Sequence, residues 1–285
     1  MTDSQYIFLM VSPDRAGILA AVAETIAASG GDIRDAASFG DEDSGEFFIR
    51  IHLSLADAKH EPVLRDALTA LAARFSGRSS LRKLARRMRL LVAASKFDHC
   101  LADLLNRWAT GSLGADIPLV VSNHENVRPL CEWHGVPFKH VPVDKDSKPE
   151  AEAVWRSAIE EYNVDLVVLA RYMQILSPEF SRELKGRCIN IHHSFLPSFK
   201  GALPYRQAHR RGVKLIGATA HYVTDDLDEG PIIEQDVRRV NHATSAADMQ
   251  LIGREIESSV LARAVRWHVE HRVLLNGTKT VVFNS

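Results

Sequence analysis

The chain has 285 residues, 46% hydrophobic and 25% charged, with a formal net charge of -1. This is a globular composition, with apolar material for one large core or two smaller ones. It excludes a global field suited to nucleic acid or an anionic membrane; the one basic run, Arg78 to Arg89, is local.

Tyr6 to Val11 is a short apolar run and predicts a buried strand. Ser12-Pro13-Asp14-Arg15-Ala16-Gly17 is a turn opening a helix whose apolar face carries Ile18, Val22 and Ile26, and Gly30-Gly31 stops it. Ile33 to Phe39 and Glu46 to Leu55 read as two strands around a polar turn. Lys59 to Phe75 is a second amphipathic helix, and a weak strand is expected near Leu81 to Leu84. The order β-α-β-β-α-β is that of a ferredoxin-like module. The charged segment from Arg82 to Arg89 marks its end, so a first domain is expected over 1–84 and a second over 85–285.

Beyond it, strands and helices alternate. Strands are predicted at Leu90 to Ser95, Ile117 to Ser122, Phe138 to Val143, Leu166 to Ala170 and Arg187 to Ile191. Helices are predicted between them: one capped by Asp98, one over Val127 to His134, one opened by a capping box at Ser147 to Glu150, and a short one at Ser177-Pro178. A strand from Ile216 to Val223 and a long helix from Ala246 to Val269 follow, with a short tail from Val273 to Phe283. The pattern implies a Rossmann-like, doubly wound α/β domain, with ligands beyond the carboxyl ends of its strands.

Cys100, Cys131 and Cys188 are widely spaced with no CxxC pair, which fits a reducing cytoplasm better than a disulfide framework or a zinc knuckle. The N-terminal apolar run is too short for a signal segment, and no stretch approaches the ~18 apolar residues of a membrane span. No metal or cofactor is expected, because His192-His193 lacks an HExxH context or a nearby cysteine pair.

At the end of one predicted strand stands Asn190-Ile191-His192, and the strand over Ile216 to Val223 leads into an acidic turn, Asp225-Asp226-Leu227-Asp228-Glu229-Gly230-Pro231. An amide, an imidazole and a carboxylate suffice to attack a carbonyl without a metal or a covalent nucleophile. The amide donates to the developing oxyanion, and the other two handle protons and charge.

These residues, with Ser194-Phe195-Leu196-Pro197 and Gly201 after the first strand and His221-Tyr222-Val223-Thr224 before the turn, resemble the formyltransferase-fold enzymes that use 10-formyltetrahydrofolate. An upstream stretch, Asp165 to Pro178, matches as well, and the likeness covers roughly Arg89 to Phe283. It implies Asn190 and His192 as the pair around the formyl carbonyl and Asp228 as the carboxylate that positions and deprotonates the nucleophile. His221 becomes a partner of Asp228. Arg171, Tyr172, Met173, Gln174, Ile175 and Leu176 become the folate-binding wall. Asp225 and Asp226 are left to shape the turn. His193 stands where the best-known members carry proline.

The resemblance leaves the acceptor to be decided. Members that formylate a ribonucleotide carry a glycine-rich phosphate cradle after their first strand, whereas Ser95-Lys96-Phe97-Asp98-His99-Cys100 here has no glycine. Members acting on tRNA carry a further barrel domain, for which the stretch after Asp236 offers no counterpart. Water then remains, giving formate and tetrahydrofolate and balancing the folate pools that feed purine synthesis. The alternatives are transfer to an amine and a non-catalytic amino-acid or folate sensor. Asp14-Arg15-Ala16-Gly17-Ile18-Leu19 resembles the D-x-x-G-x-L signature of ACT domains. That implies a homo-oligomer, dimer or tetramer, and an amino-acid effector bound near Asp14, Gly17 and Ile18.

Overall fold

The computed structural model describes residues 4–144, 147–196 and 204–284. Pro197 and Gly201, expected in the loop after Ser194, lie outside them. The chain divides into two compact units: Met1–Arg87 with His271–Asn276 and Val281–Ser285, and Met88–Glu270 with Gly277–Thr280. The division therefore falls three residues after the expected 84/85 boundary, and most of the C-terminal tail belongs with the first unit.

In the first unit, β1 (Ser4–Pro13), α1 (Ile18–Ala28), β2 (Gly31–Asp41), β3 (Glu46–Leu55), α2 (Glu61–Arg74) and β4 (Arg78–Lys83) follow the expected order. The four strands form an antiparallel sheet in the order β2-β3-β1-β4. Alternate residues of β1, Tyr6, Phe8 and Met10, meet Ile18, Val22 and Ile26 of α1 and Leu64 and Leu68 of α2 in one core. A smaller cluster joins Val11 and Phe48 to Leu274, with Val281 and Phe283 packed against it. That apolar contact is what draws the C-terminal tail into this unit.

The second unit contains β5 (Arg89–Ala94), α3 (His99–Ala109), β6 (Asp116–Ser122), α4 (Arg128–Trp133), β7 (Phe138–His140), α5 (Lys148–Glu161), β8 (Leu166–Ala170), α6 (Pro178–Glu183), β9 (Cys188–His192), α7 (Pro204–Arg211), β10 (Leu215–Tyr222), β11 (Ile232–Arg239) and α8 (Ala246–Val269). A two-stranded sheet of β12 (Val273–Asn276) and β13 (Lys279–Val282) closes the chain. The large sheet has the order β11-β10-β9-β8-β5-β6-β7. Five of its strands are parallel, running from β7 through β6, β5 and β8 to β9. Here α3, α5 and α8 bury apolar faces, and β5 and β8 are buried almost throughout, as strands covered on both sides must be.

Two local expectations change. Asp98 and Ser147 stand at helix N-caps, but neither side chain caps its helix. Ser147 instead exchanges hydrogen bonds with Asp144, its Oγ accepting from the Asp144 amide at 2.9 Å. A true capping box lies at Ser245 and Asp248, at the start of α8. The last two strands of the large sheet, β10 and β11, run antiparallel to their neighbours, and this antiparallel edge builds the site.

Candidate active site

Asn190 and His192 are two residues apart on β9 and so point to the same face of the sheet. Because β10 runs antiparallel to β9, His221 sits directly opposite Asn190 and Thr219 opposite His192. The turn leaving β10 returns Asp228 to the same place. Asp228 adopts φ +59, a left-handed conformation that an aspartate tolerates better than most residues. Two residues on, a Cβ on Gly230 would lie 1.7 Å from the Tyr222 carbonyl oxygen, so only glycine allows this tight return.

The geometry is close. His192 Nδ1 lies 3.1 Å from Asp228 Oδ2, and His221 Nε2 lies 3.6 Å from Asp228 Oδ1. Asn190 Nδ2 is 3.2 Å from His221 Nε2, and His221 Nδ1 is 2.9 Å from the Tyr222 carbonyl oxygen. A carbonyl only accepts, so His221 carries its hydrogen on Nδ1 and its Nε2 takes one N–H of Asn190. The second N–H of Asn190 remains for a ligand. His192 in turn donates from Nδ1 to Asp228, and its Nε2 is buried with no partner among the described residues. Burial works against ionisation of Asp228, but the hydrogen bond from His192, with the His221 ring close by, outweighs it and holds the carboxyl well below the usual carboxylate range. A carboxyl held so far down is a weak base, and the buried His192 Nε2, which has no hydrogen-bond partner among the described residues, is a second group in the site able to take a proton from water.

These residues open on a cleft of about 300 Å³. The expected folate wall, Arg171 to Leu176, lines it, but its members differ. Met173 and Ile175 are exposed apolar groups at its rim. Tyr172 and Leu176 instead bury their side chains in the core, where the Tyr172 ring packs 5.0 Å from Trp155. Buried Glu152 accepts from the Ser177 amide at 2.6 Å, pinning the loop to α5. Asp225 and Asp226 are exposed, and the Asp225 carboxylate lies 4.0 Å from Arg182.

A second polar cluster adjoins the first, and sequence reasoning missed most of it. Glu257 of α8 is 1% exposed. It accepts from His99 Nε2 at 2.8 Å and from the Tyr205 hydroxyl at 2.6 Å. Arg171 Nε lies 3.1 Å from Oε2, the oxygen that also faces His99, without its N–H aimed at the carboxylate. Burial opposes ionisation of Glu257, but His99, Arg171 and Tyr205 hold it below its ordinary value. Arg171, at φ +63, also donates to His193 Nδ1. The available signal was Glu257 itself, a carboxylate one position after Ile256 and three before Val260 on the apolar stripe of a helix.

His99, Cys100 and Glu257 bring three ligand-type atoms within 4.8 Å of one another. The Arg171 guanidinium already matches the Glu257 charge, and burial pushes the Cys100 thiol well above its usual value, so this set does not favour a cation. The Ser95 to Cys100 turn is internally committed too. Ser95 Oγ donates to Asn123 Oδ1 at 2.7 Å and accepts from the Met173 amide at 3.0 Å. The guanidinium carbons of Arg171 and Arg254 lie 5.6 and 5.3 Å from the centroid of the Phe97 ring. The turn thus places an aromatic ring between two guanidinium groups.

In the first unit, Gly17 takes φ +88 at the start of α1, and the Asp14 amide donates to the Gly45 carbonyl at 2.8 Å. The Ile18 side chain is buried in the core, so of the expected effector residues it has only backbone to offer a ligand.

Comparison with known proteins agrees with this division. The formyl transferase family model matches residues 88–265, and the ACT domain model matches residues 6–73. The chain is 47% identical to the formyltetrahydrofolate deformylase of Bacillus subtilis, over 97% of this chain and 93% of that protein. The crystal structure of formyltetrahydrofolate deformylase from Burkholderia mallei superposes with a TM-score of 0.94 at 48% identity, covering 98% of this chain and 99% of the other. Glycinamide ribonucleotide transformylase 1 from Symbiobacterium toebii is 29% identical with a TM-score of 0.64, covering 94% of its own chain but 69% of this one.

Proposed function

The chain belongs to the formyltransferase family and, along nearly its whole length, to its formyltetrahydrofolate deformylases, and from this we infer that it hydrolyses 10-formyltetrahydrofolate to formate and tetrahydrofolate. The observation that carries the reading is the likeness to deformylases across both units, while the transformylase likeness spans only part of the chain.

The residues support the following mechanism. A formamide resists water because its nitrogen lone pair delocalises into the carbonyl. Asn190, steadied by His221, donates its second N–H to the formyl oxygen, where charge develops. His192 takes a proton from the attacking water through Nε2, and Asp228 stabilises the resulting imidazolium through Nδ1. The imidazolium then returns the proton to N10 as the C–N bond breaks. The pterin lies along Arg171 to Leu176, with Met173 and Ile175 supplying apolar contact. The chemistry uses no metal or other cofactor, in keeping with a donor set built from an amide, imidazoles and one carboxylate.

The first unit is an ACT domain. It serves regulation and homo-oligomer assembly, with an amino acid as effector near Asp14 and Gly17; the φ +88 backbone of Gly17 is compatible with a ligand's close approach. Among the described residues no helix is long and apolar enough to cross a membrane, and the three cysteines are unpaired and buried. Unpaired, buried cysteines suit the reducing cytoplasm, and a formal net charge of -1 suits a small-molecule substrate better than nucleic acid.

Formate release from 10-formyltetrahydrofolate, followed with and without single amino acids, tests both parts. The catalytic reading expects formate with no acceptor but water. The regulatory reading expects at least one amino acid to change the rate, and a rate indifferent to all of them refutes it.

A further inference from the structure

His192 Nε2 and His193 Nε2 are both buried, and neither has a hydrogen-bond partner among the described residues. The two rings stack with centroids 5.0 Å apart and planes 19° from parallel. Their other nitrogens are committed in opposite senses. His192 Nδ1 faces Asp228, which only accepts, so in the neutral ring Nε2 carries the lone pair. His193 Nδ1 faces a guanidinium N–H of Arg171, which only donates, so Nδ1 is the acceptor and Nε2 carries the hydrogen. Burial and the Arg171 charge, with some help from His192, push His193 down to about 4, so it stays neutral near pH 7.

Arg171 is itself fixed in place. Its backbone is left-handed at φ +63, and its guanidinium stands against Glu257, which His99 and Tyr205 also hold. Tyr205 reaches Glu257 across Gly253, where a Cβ would lie 2.1 Å from the tyrosine hydroxyl. The tautomer of His193 is therefore set by a buried chain of side chains that runs from Glu257 through Arg171.

We propose that His193, fixed as the Nε2–H tautomer by Arg171, holds the attacking water for His192 and selects water over amine nucleophiles. The inference rests on the hydrolytic reading above. His193 Nε2–H donates to the water oxygen, and the water donates one hydrogen to His192 Nε2. Water has two lone pairs, so one accepts from His193 while the other attacks. A neutral amine has a single lone pair, and the same N–H would occupy it. In the step itself the water oxygen bonds to the formyl carbon, its proton passes to His192 Nε2, and the carbonyl π pair moves onto the formyl oxygen. On collapse the C–N10 bond breaks, its electron pair leaves with N10, and N10 takes the proton from His192. The acid proton of the product passes to solvent, leaving formate.

The test compares the full-length wild type with His193→Ala, His193→Phe and His193→Gln, turning over 10-formyltetrahydrofolate in the presence of hydroxylamine. Formate and formohydroxamate are measured separately. For His193→Ala or His193→Phe we expect a fall in kcat for formate of at least ~100-fold with KM changed by less than about threefold. The formohydroxamate-to-formate ratio should rise at least ~10-fold, as expected when a nucleophile-selecting hydrogen bond is lost. His193→Gln, which retains a side-chain N–H, should recover part of the formate rate. The Phe variant keeps the ring stack, so it decides the matter if the Ala variant does not fold. A kcat near wild type, a loss confined to KM, or an unchanged product ratio overturns the proposal while leaving the hydrolase reading intact. A wild type that turns over only when an amine is supplied overturns both.

Discussion

Asp228 is a carboxylate made strong as an anion and therefore weak as a base. Held between His192 and His221, it acts by fixing the proton of His192 on Nδ1. Asp228→Asn would keep the shape and lose that control, and we expect kcat to fall by roughly 10³-fold or more in a folded protein. Near-wild-type turnover would remove Asp228 from the mechanism. His193 predicts a pH effect on stability. Its folded pKa of about 4 lies below the unfolded value, so between the two the unfolded chain binds more protons than the native one. Stability should therefore fall as pH drops from about 6.5 towards 4, by at most ~3 kcal/mol from this group. Arg171, His192, Glu257 and Asp228 all act on this ring, so the check is the difference between denaturation curves of wild type and His193→Gln across that range. The group's contribution is refuted if the two curves keep the same slope with pH.

At the level of elements, the antiparallel edge matters most. Only because β10 reverses direction does His221 stand opposite Asn190. Gly230 permits the turn that carries Asp228, and a side chain there would strike the Tyr222 carbonyl that receives the His221 hydrogen. Gly230→Ala should lower stability by about 1–3 kcal/mol by urea denaturation and reduce kcat further than that loss explains. A variant with full activity would show that the turn tolerates a different course. Helix α8 carries the support for the second cluster. Glu257→Gln removes the counter-charge of buried Arg171, and we expect a loss of about 3 kcal/mol or more. An unchanged urea midpoint would mean that His193 and solvent suffice to satisfy Arg171. The parallel strands were legible because their apolar runs are continuous. β11 was not, because its residues IIEQDVRR carry only one buried apolar side chain, Ile233, as an edge strand does.

Across the whole molecule, the pattern of legibility has a physical cause. Asn190, His192 and Asp228 were readable because they sit at strand ends and a turn, where local spacing places them. Glu257, Tyr205 and His99 were not, because they meet only through tertiary packing, tens of residues apart in the chain. The C-terminal tail was read as an appendage of the second domain, since nothing local reveals that Leu274 completes a cluster with Val11 and Phe48. What joins these scales is a site that polarises a formyl group and supplies it with water. The direct test is to incubate the pure protein with 10-formyltetrahydrofolate and no other acceptor, measuring formate and tetrahydrofolate together. The account predicts both products in equal amounts, at a rate unaffected by adding glycinamide ribonucleotide. Turnover that waits for an amine acceptor, with no free formate, would contradict it.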